Sequence, residues 1–187
     1  MKRCIPLLAL LALSMLCVAA DPAPLVDPPK AQPAAPPDFG WLSDLVGSCW
    51  VAKIPDARLH MQCYTRQFGH FIRSAATLSQ EIDGTWRPIF AGDSVFASDA
   101  RRHIVYFTWG SDGGHRQLDA HYEGEQIVFP VASRAAPDRV VNRTIWKRID
   151  KDSFEVRRER AGEDGKSWTE ELKVVYRRTA RPESKAK

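Results

Sequence analysis

SFEVRRERAGEDGKSWTEELKVVYRR, residues 153–178, decides the fold. In its first part Phe154 and Val156 alternate with Glu155, Arg157 and Glu159. In its last part Trp168, Leu172, Val174 and Tyr176 alternate with Glu171, Lys173 and Arg177. The period is two, which puts one face of each segment into a core and the other into water. Glu163-Asp164-Gly165-Lys166 between them is turn chemistry, so the stretch reads as an antiparallel pair of strands.

Working outward, the same pattern repeats. Strands are expected near 48–54, 59–67, 70–79, 86–97, 102–109, 115–122, 126–132 and 139–149, in addition to 153–160 and 167–178. Asp83-Gly84, Ser111-Asp112-Gly113-Gly114, Glu123-Gly124-Glu125 and Asp150-Lys151-Asp152 punctuate them. IVYFTW at 104–109 has the aromatic and β-branched content that strands favour. Only 39–46 has a helical character, and a short N-terminal capping helix is expected there. Many evenly spaced strands imply a sandwich or a barrel, and the clean alternation favours an all-β, closed antiparallel up-and-down barrel of about ten strands.

The ends differ from this. Met1-Lys2-Arg3, an apolar run over 5–16 and Val18-Ala19-Ala20 form a signal-peptide pattern, with cleavage expected after Ala20. The run is shorter than the ~20 residues that span a bilayer, so no transmembrane segment is expected after cleavage. Leu16 stands before Cys17 where an acylated cysteine needs a small neighbour. Residues 21–37 carry seven prolines and read as an extended leader, and 179–187 as a polar tail. The domain is then 38–178, 141 residues holding all the Trp, Phe and Tyr, with 21 basic against 20 acidic side chains. The pI near 9.0 comes from the ends, and a nucleic-acid partner is not expected. The expected location is periplasmic or secreted.

Cys49 and Cys63 are the two cysteines beyond the leader. A hairpin turning at Pro55-Asp56-Ala57 puts positions 49/63, 51/61 and 53/59 opposite one another. A Cys49–Cys63 disulfide across a non-hydrogen-bonded pair is therefore expected.

Trp41-Leu-Ser-Asp-Leu-Val-Gly47-Ser-Cys-Trp50, Arg143-Thr144, Asp164-Gly165-Lys-Ser-Trp168 and Tyr176-Arg177-Arg178 resemble the small secreted bacterial lipocalin-like (calycin) proteins. Gly47 and Trp50 are separated by two residues where lipocalins usually have one. The resemblance covers most of 41–178 and implies a ligand-sized cavity without fixed chemistry.

Catalytic motifs are not found: there is no G-x-S-x-G, Walker loop, H-E-x-x-H or C-x-x-C, and no enzyme activity is expected. His115, Gln117, Asp119 and His121 share a strand face. Metal ligands could use that spacing, but it is read as the solvent face because Leu118, Ala120 and Tyr122 form the apolar one. Some calycin-like barrels hold haem through a His near the C-terminus. This chain has none after His121, and His60, His70, His103, His115 and His121 read as surface or rim. No metal or cofactor is expected. Lys147-Arg148 and Arg157-Arg158-Glu159-Arg160, near Trp146 and Trp168, read as cross-strand ion pairing with Glu155, Glu159, Glu170 and Glu171. Asn142-Arg143-Thr144 fits a glycosylation sequon, relevant only to a eukaryotic secretory route.

The candidate ligand site follows from charges on apolar faces. Arg158 shares a face with Phe154 and Val156, and Glu170 with Trp168, Leu172 and Tyr176. A charge there needs a partner. Either Arg158 and Glu170 pair inside the barrel, or Arg158 and Tyr176 orient a ligand's polar head while Trp168, Leu172 and Phe154 hold its body. The expected function is binding a small apolar or amphipathic molecule in the lumen. The alternative is a filled barrel acting as an envelope interaction protein through its surface or its leader. The oligomeric state is left open.

Overall fold

A computed structural model describes residues 37–99 and 101–180. The expected signal peptide, all but the last residue of the leader, and residues 181–187 of the tail lie outside the described residues. Ten strands follow in order: β1 (Cys49–Ile54), β2 (Arg58–Gln67), β3 (Phe71–Ile82), β4 (Thr85–Ser98), β5 (Ile104–Gly110), β6 (His115–Glu123), β7 (Gln126–Ala132), β8 (Val140–Asp150), β9 (Ser153–Ala161) and β10 (Trp168–Thr179). Each pairs antiparallel with its sequence neighbour, and β1 pairs with β10 to close the barrel. Closure removes the free edges that a ten-stranded open sheet would present.

The capping helix is corrected to a single 3-10 turn, Gly40–Leu45. Its six residues are too few for a stable α-helix, and the turn is held by the barrel end instead. Trp41, Leu42 and Leu45 plug that end. Gly40 starts the turn at φ +50°, and a Cβ there would meet the Tyr122 hydroxyl at 2.6 Å.

The disulfide joins Cys49 to Cys63, directly opposite across the β1–β2 ladder. Tyr64 N donates to Ser48 O at 3.0 Å, and Gly47 N donates to Tyr64 O at 3.0 Å. Two residues facing one is a β-bulge, opened by Gly47 at φ +85°, and it absorbs the extra residue before Trp50.

Below the 3-10 turn the interior is packed with rings. Trp50, Phe96, Ile104, Ile127 and Phe154 are buried. Phe154 lies 5.3 Å from Trp50 and 5.5 Å from Trp146, and Trp146 lies 5.1 Å from Phe129. The gap left beside Trp41 and Leu45 is about 10 Å³, room for one water.

Two seams are short. β1 and β10 pair only over Cys49–Thr179, Trp50–Arg178 and Val51–Arg177. β6 and β7 pair only over His121–Val128, Tyr122–Ile127 and Glu123–Gln126. Both lie at the plugged end. Counting from the two-residue turn at Gly124-Glu125, position 130 falls on the next hydrogen-bonded pair, opposite Asp119. Pro130 has no N–H to give there, so the β6–β7 ladder stops.

Candidate functional site

Strand register places His60, Gln62, Leu78, Tyr106, Thr108, Leu118, Thr144, Val156 and Leu172 on the face that also carries the plugged core. They point inward, yet each stays half-exposed, whereas inward residues at the plugged end are fully buried. The wall shields most of them from outside, so their remaining exposure comes through the unplugged end and, for Leu118, also through the gap between β6 and β7. The upper half of the barrel is a cup.

The cup floor carries polar groups. Tyr176 Oη and His60 Nδ1 lie 2.5 Å apart, and the Tyr64 hydroxyl donates to Gln62 Oε1. Ser94 Oγ is 2.9 Å from Tyr106 Oη and donates to Thr108 Oγ1 at 3.1 Å. Burial lowers the His60 imidazole to about 4, which keeps it neutral at physiological pH. Burial also pushes the Tyr64 and Tyr176 phenols up, so both remain protonated donors. Apolar side chains stand among them: Leu78 is paired with His60 and Leu118 with Tyr106, and Phe90, Val131, Val156 and Leu172 are inward-facing too. The Phe90 ring lies flat on the paired Gly92 and Gly110, where a Cβ on Gly110 would meet the ring at 2.5 Å.

The mouth carries arginines at inward positions on three strands: Arg58, Arg116, and Arg158 with Arg160. Arg58 lies 3.4 Å from Asp56, and both Arg158 and Arg160 reach Glu171. Arg116, like Arg134 in the loop after β7, has no ion-pair partner among the described residues. A concavity of about 520 Å³ opens in the β6–β7 gap, walled by Arg116, Leu118, Val131, Arg134 and Asn142. A second, of about 460 Å³, lies against Phe90, Thr108, Asp112, Arg116 and Arg134. The two guanidiniums border both. Asn142 Oδ1 is buried with no hydrogen-bond partner among the described residues.

The residues singled out from the sequence are only partly brought together. Phe154 and Tyr176 stack at 4.9 Å in the core, and Leu172 lines the cup above them. Trp168 and Glu170 are elsewhere. A bulge between Glu170 and Leu172 shifts the register, so Leu172 faces Arg158 while Glu170 faces Glu159 and Trp168 faces Ala161. One extra residue reverses the faces on the Trp168 side of the bulge, which puts Trp168 and Glu170 on the outer wall. The expected Arg158–Glu170 pair is therefore replaced by Arg158–Glu171, at 3.1 Å. Arg158 and Tyr176 also stand four residues apart in level, roughly 13 Å along the strand, too far to share one carboxylate.

On the outer wall Trp168 lies under the Arg143 guanidinium, 4.0 Å from it. Arg143 and Arg157 both hold Glu159, each at 2.7 Å, while Glu155 is held by Lys173 at 3.1 Å. The arginines of the basic run are thus engaged in ion pairs, Arg148 with Asp44. His121 turns to Glu123, and His103 to Asp119. The described residues contain no cluster of three metal-ligating side chains.

Two lining residues escape a reading by residue type. His60, read as surface or rim, is inside, because the register that pairs the cysteines also puts Ala52 opposite His60 on the inward face. Arg116 shares the apolar face of Leu118 and Ala120, the same signal that drew attention to Arg158. No helix among the described residues is long and apolar enough to cross a membrane. No protein-family model matches the chain, and no curated protein matches it.

Proposed function

We propose that this is an exported, lipocalin-like binding protein, and not an enzyme, that takes a small amphipathic anion into its open cup. The observation that supports this most is the pair of arginines without ion-pair partners among the described residues, Arg116 and Arg134, bordering concavities of about 520 and 460 Å³ beside Leu118, Val131 and Phe90. Arginine's planar fork suits a carboxylate, and the apolar wall suits the chain attached to it. Concavities of this size are in the range of small-molecule sites. Export rests on the N-terminal pattern and is supported by the Cys49–Cys63 disulfide, which forms in oxidising compartments.

The test is titration of the purified protein with a fluorescent carboxylated fatty-acid probe and an uncharged analogue. Arg116→Met should weaken the first by about tenfold and leave the second within twofold. Absence of binding by the unaltered protein would reject the cup as a ligand site. Intact-mass analysis of protein from the periplasm or medium should show residue 21 at the N-terminus.

A second reading is supported by the outer wall of β3–β5, where Phe71, Val95, Phe107 and Trp109 form an exposed apolar patch beside Phe68. It would make the protein an interaction module. Loss of pull-down partners on Trp109→Ser, with ligand uptake unchanged, would favour that reading.

A further inference from the structure

We infer that the cup selects anions bearing an oxygen function, a hydroxyl or carbonyl, at the end remote from the charged head; this rests on the cup being a ligand site. The reason is that its floor is not apolar. Nδ1 of neutral His60 lies 2.5 Å from the Tyr176 hydroxyl. We assign the hydroxyl as the donor, because the phenol stays protonated and has no other acceptor among the described residues, and this puts the ring proton on Nε2, itself without a partner there. Gln62 is in the same position. Its Oε1 accepts from Tyr64, which leaves its amide N–H groups without an acceptor among the described residues. Both side chains are inward-facing and half-exposed, so in the empty cup water can satisfy them.

A ligand with a plain hydrocarbon end would displace that water and leave both donors unsatisfied. A terminal oxygen replaces the water's hydrogen bonds. The levels fit a short chain. His60 lies two residues below Arg58, and Tyr106 two residues below the level of Arg116, with Tyr176 four below Arg158. That is a depth from the arginine rim to the floor of roughly 7 to 13 Å at ~3.3 Å per residue.

The experiment compares decanoate with ω-hydroxydecanoate by calorimetric titration of the full exported protein. The hydroxy acid should bind about tenfold more tightly. Tyr176→Phe, which frees the imidazole to turn, and His60→Leu should each bring the ratio towards one. Gln62→Leu, which alters only the second donor, should reduce the ratio partially, and it serves if either of the first two fails to fold. Equal affinity of the two acids for the unaltered protein would overturn selection for a remote oxygen and leave the cup as a binding site. Binding of neither acid would overturn the ligand site itself, and the selection with it. A preference that persists in His60→Leu and Gln62→Leu alike would also overturn the assignment to this floor.

Discussion

His60 on β2 reaches across β1 to Tyr176 on β10, and the two side chains meet at 2.5 Å. The bond is possible because β1–β10 pairing ends at Val51–Arg177 and because the residue between them, opposite His60, is the small Ala52. A side-chain bridge thus ties the barrel together just where its backbone closure stops.

That bridge gives the fold a dependence on pH. The imidazole of the unfolded chain takes up a proton as pH falls through about 6.5, whereas burial holds the native one to about 4. Between those values the unfolded state binds more protons, so stability is full above about 6.5 and falls as the solution is acidified. The loss should reach about 2 kcal/mol by pH 5, measured by urea unfolding at constant ionic strength. His60→Leu should flatten the curve over this window; an unchanged slope would show that other groups set it.

The disulfide closes a sequence separation of 14 residues between β1 and β2. Chain-entropy reasoning gives it about 3 kcal/mol. Cys49→Ser with Cys63→Ser should lower the urea midpoint accordingly, and denatured but unreduced protein should show no free thiol at these positions. Two titratable thiols would contradict the bridge.

On the outer wall Glu159 is nearly buried between two guanidiniums, Arg143 and Arg157. Glu159→Gln keeps the shape but removes the charge, leaving both cations without their shared partner and Arg143 less firmly held over Trp168. About 1–2 kcal/mol should be lost, discounted because Arg143 and Arg157 are each about a quarter exposed (26% and 27%). Glu170→Gln, on an exposed side chain without an ion-pair partner among the described residues, should cost nothing measurable. Thermal unfolding of the two variants side by side makes the comparison.

Much of this architecture can be read from alternation alone. Ten strands, closure and the cysteine pairing all follow from a period of two, because register is rigid once one facing pair is known. His60 is legible by the same rule, since fixing 49 against 63 fixes 52 against 60, but it is missed when a histidine is judged by type. The placement of Trp168 and Glu170 is not legible in that way. In Thr169-Glu170-Glu171-Leu172 the extra residue falls between two adjacent glutamates, so the inversion leaves no break in the polar pattern. Only the paired strand, which sets Leu172 against Arg158 and Glu170 against Glu159, reveals it.

Pro130 supplies the last prediction. The β6–β7 ladder ends one step after His121–Val128, at the pair where position 130 would have to donate to Asp119. Beyond that point Leu118 and Val131 line an opening of about 520 Å³ that leads to Arg116 and Asn142. If the missing donor is what holds this gap open, Pro130→Val should extend the ladder, since valine suits a strand and restores the N–H. Hydrogen exchange should then find the amide introduced at position 130 protected, with slower exchange across 117–120. Global stability should change by less than about 1 kcal/mol, because a gained hydrogen bond is offset by the greater freedom of the unfolded chain. Association with a carboxylated probe should slow more than dissociation, as expected when a side entrance narrows but the site behind it does not change. A freely exchanging amide at position 130 would mean that the seam is parted by the packing of its side chains and not by the proline.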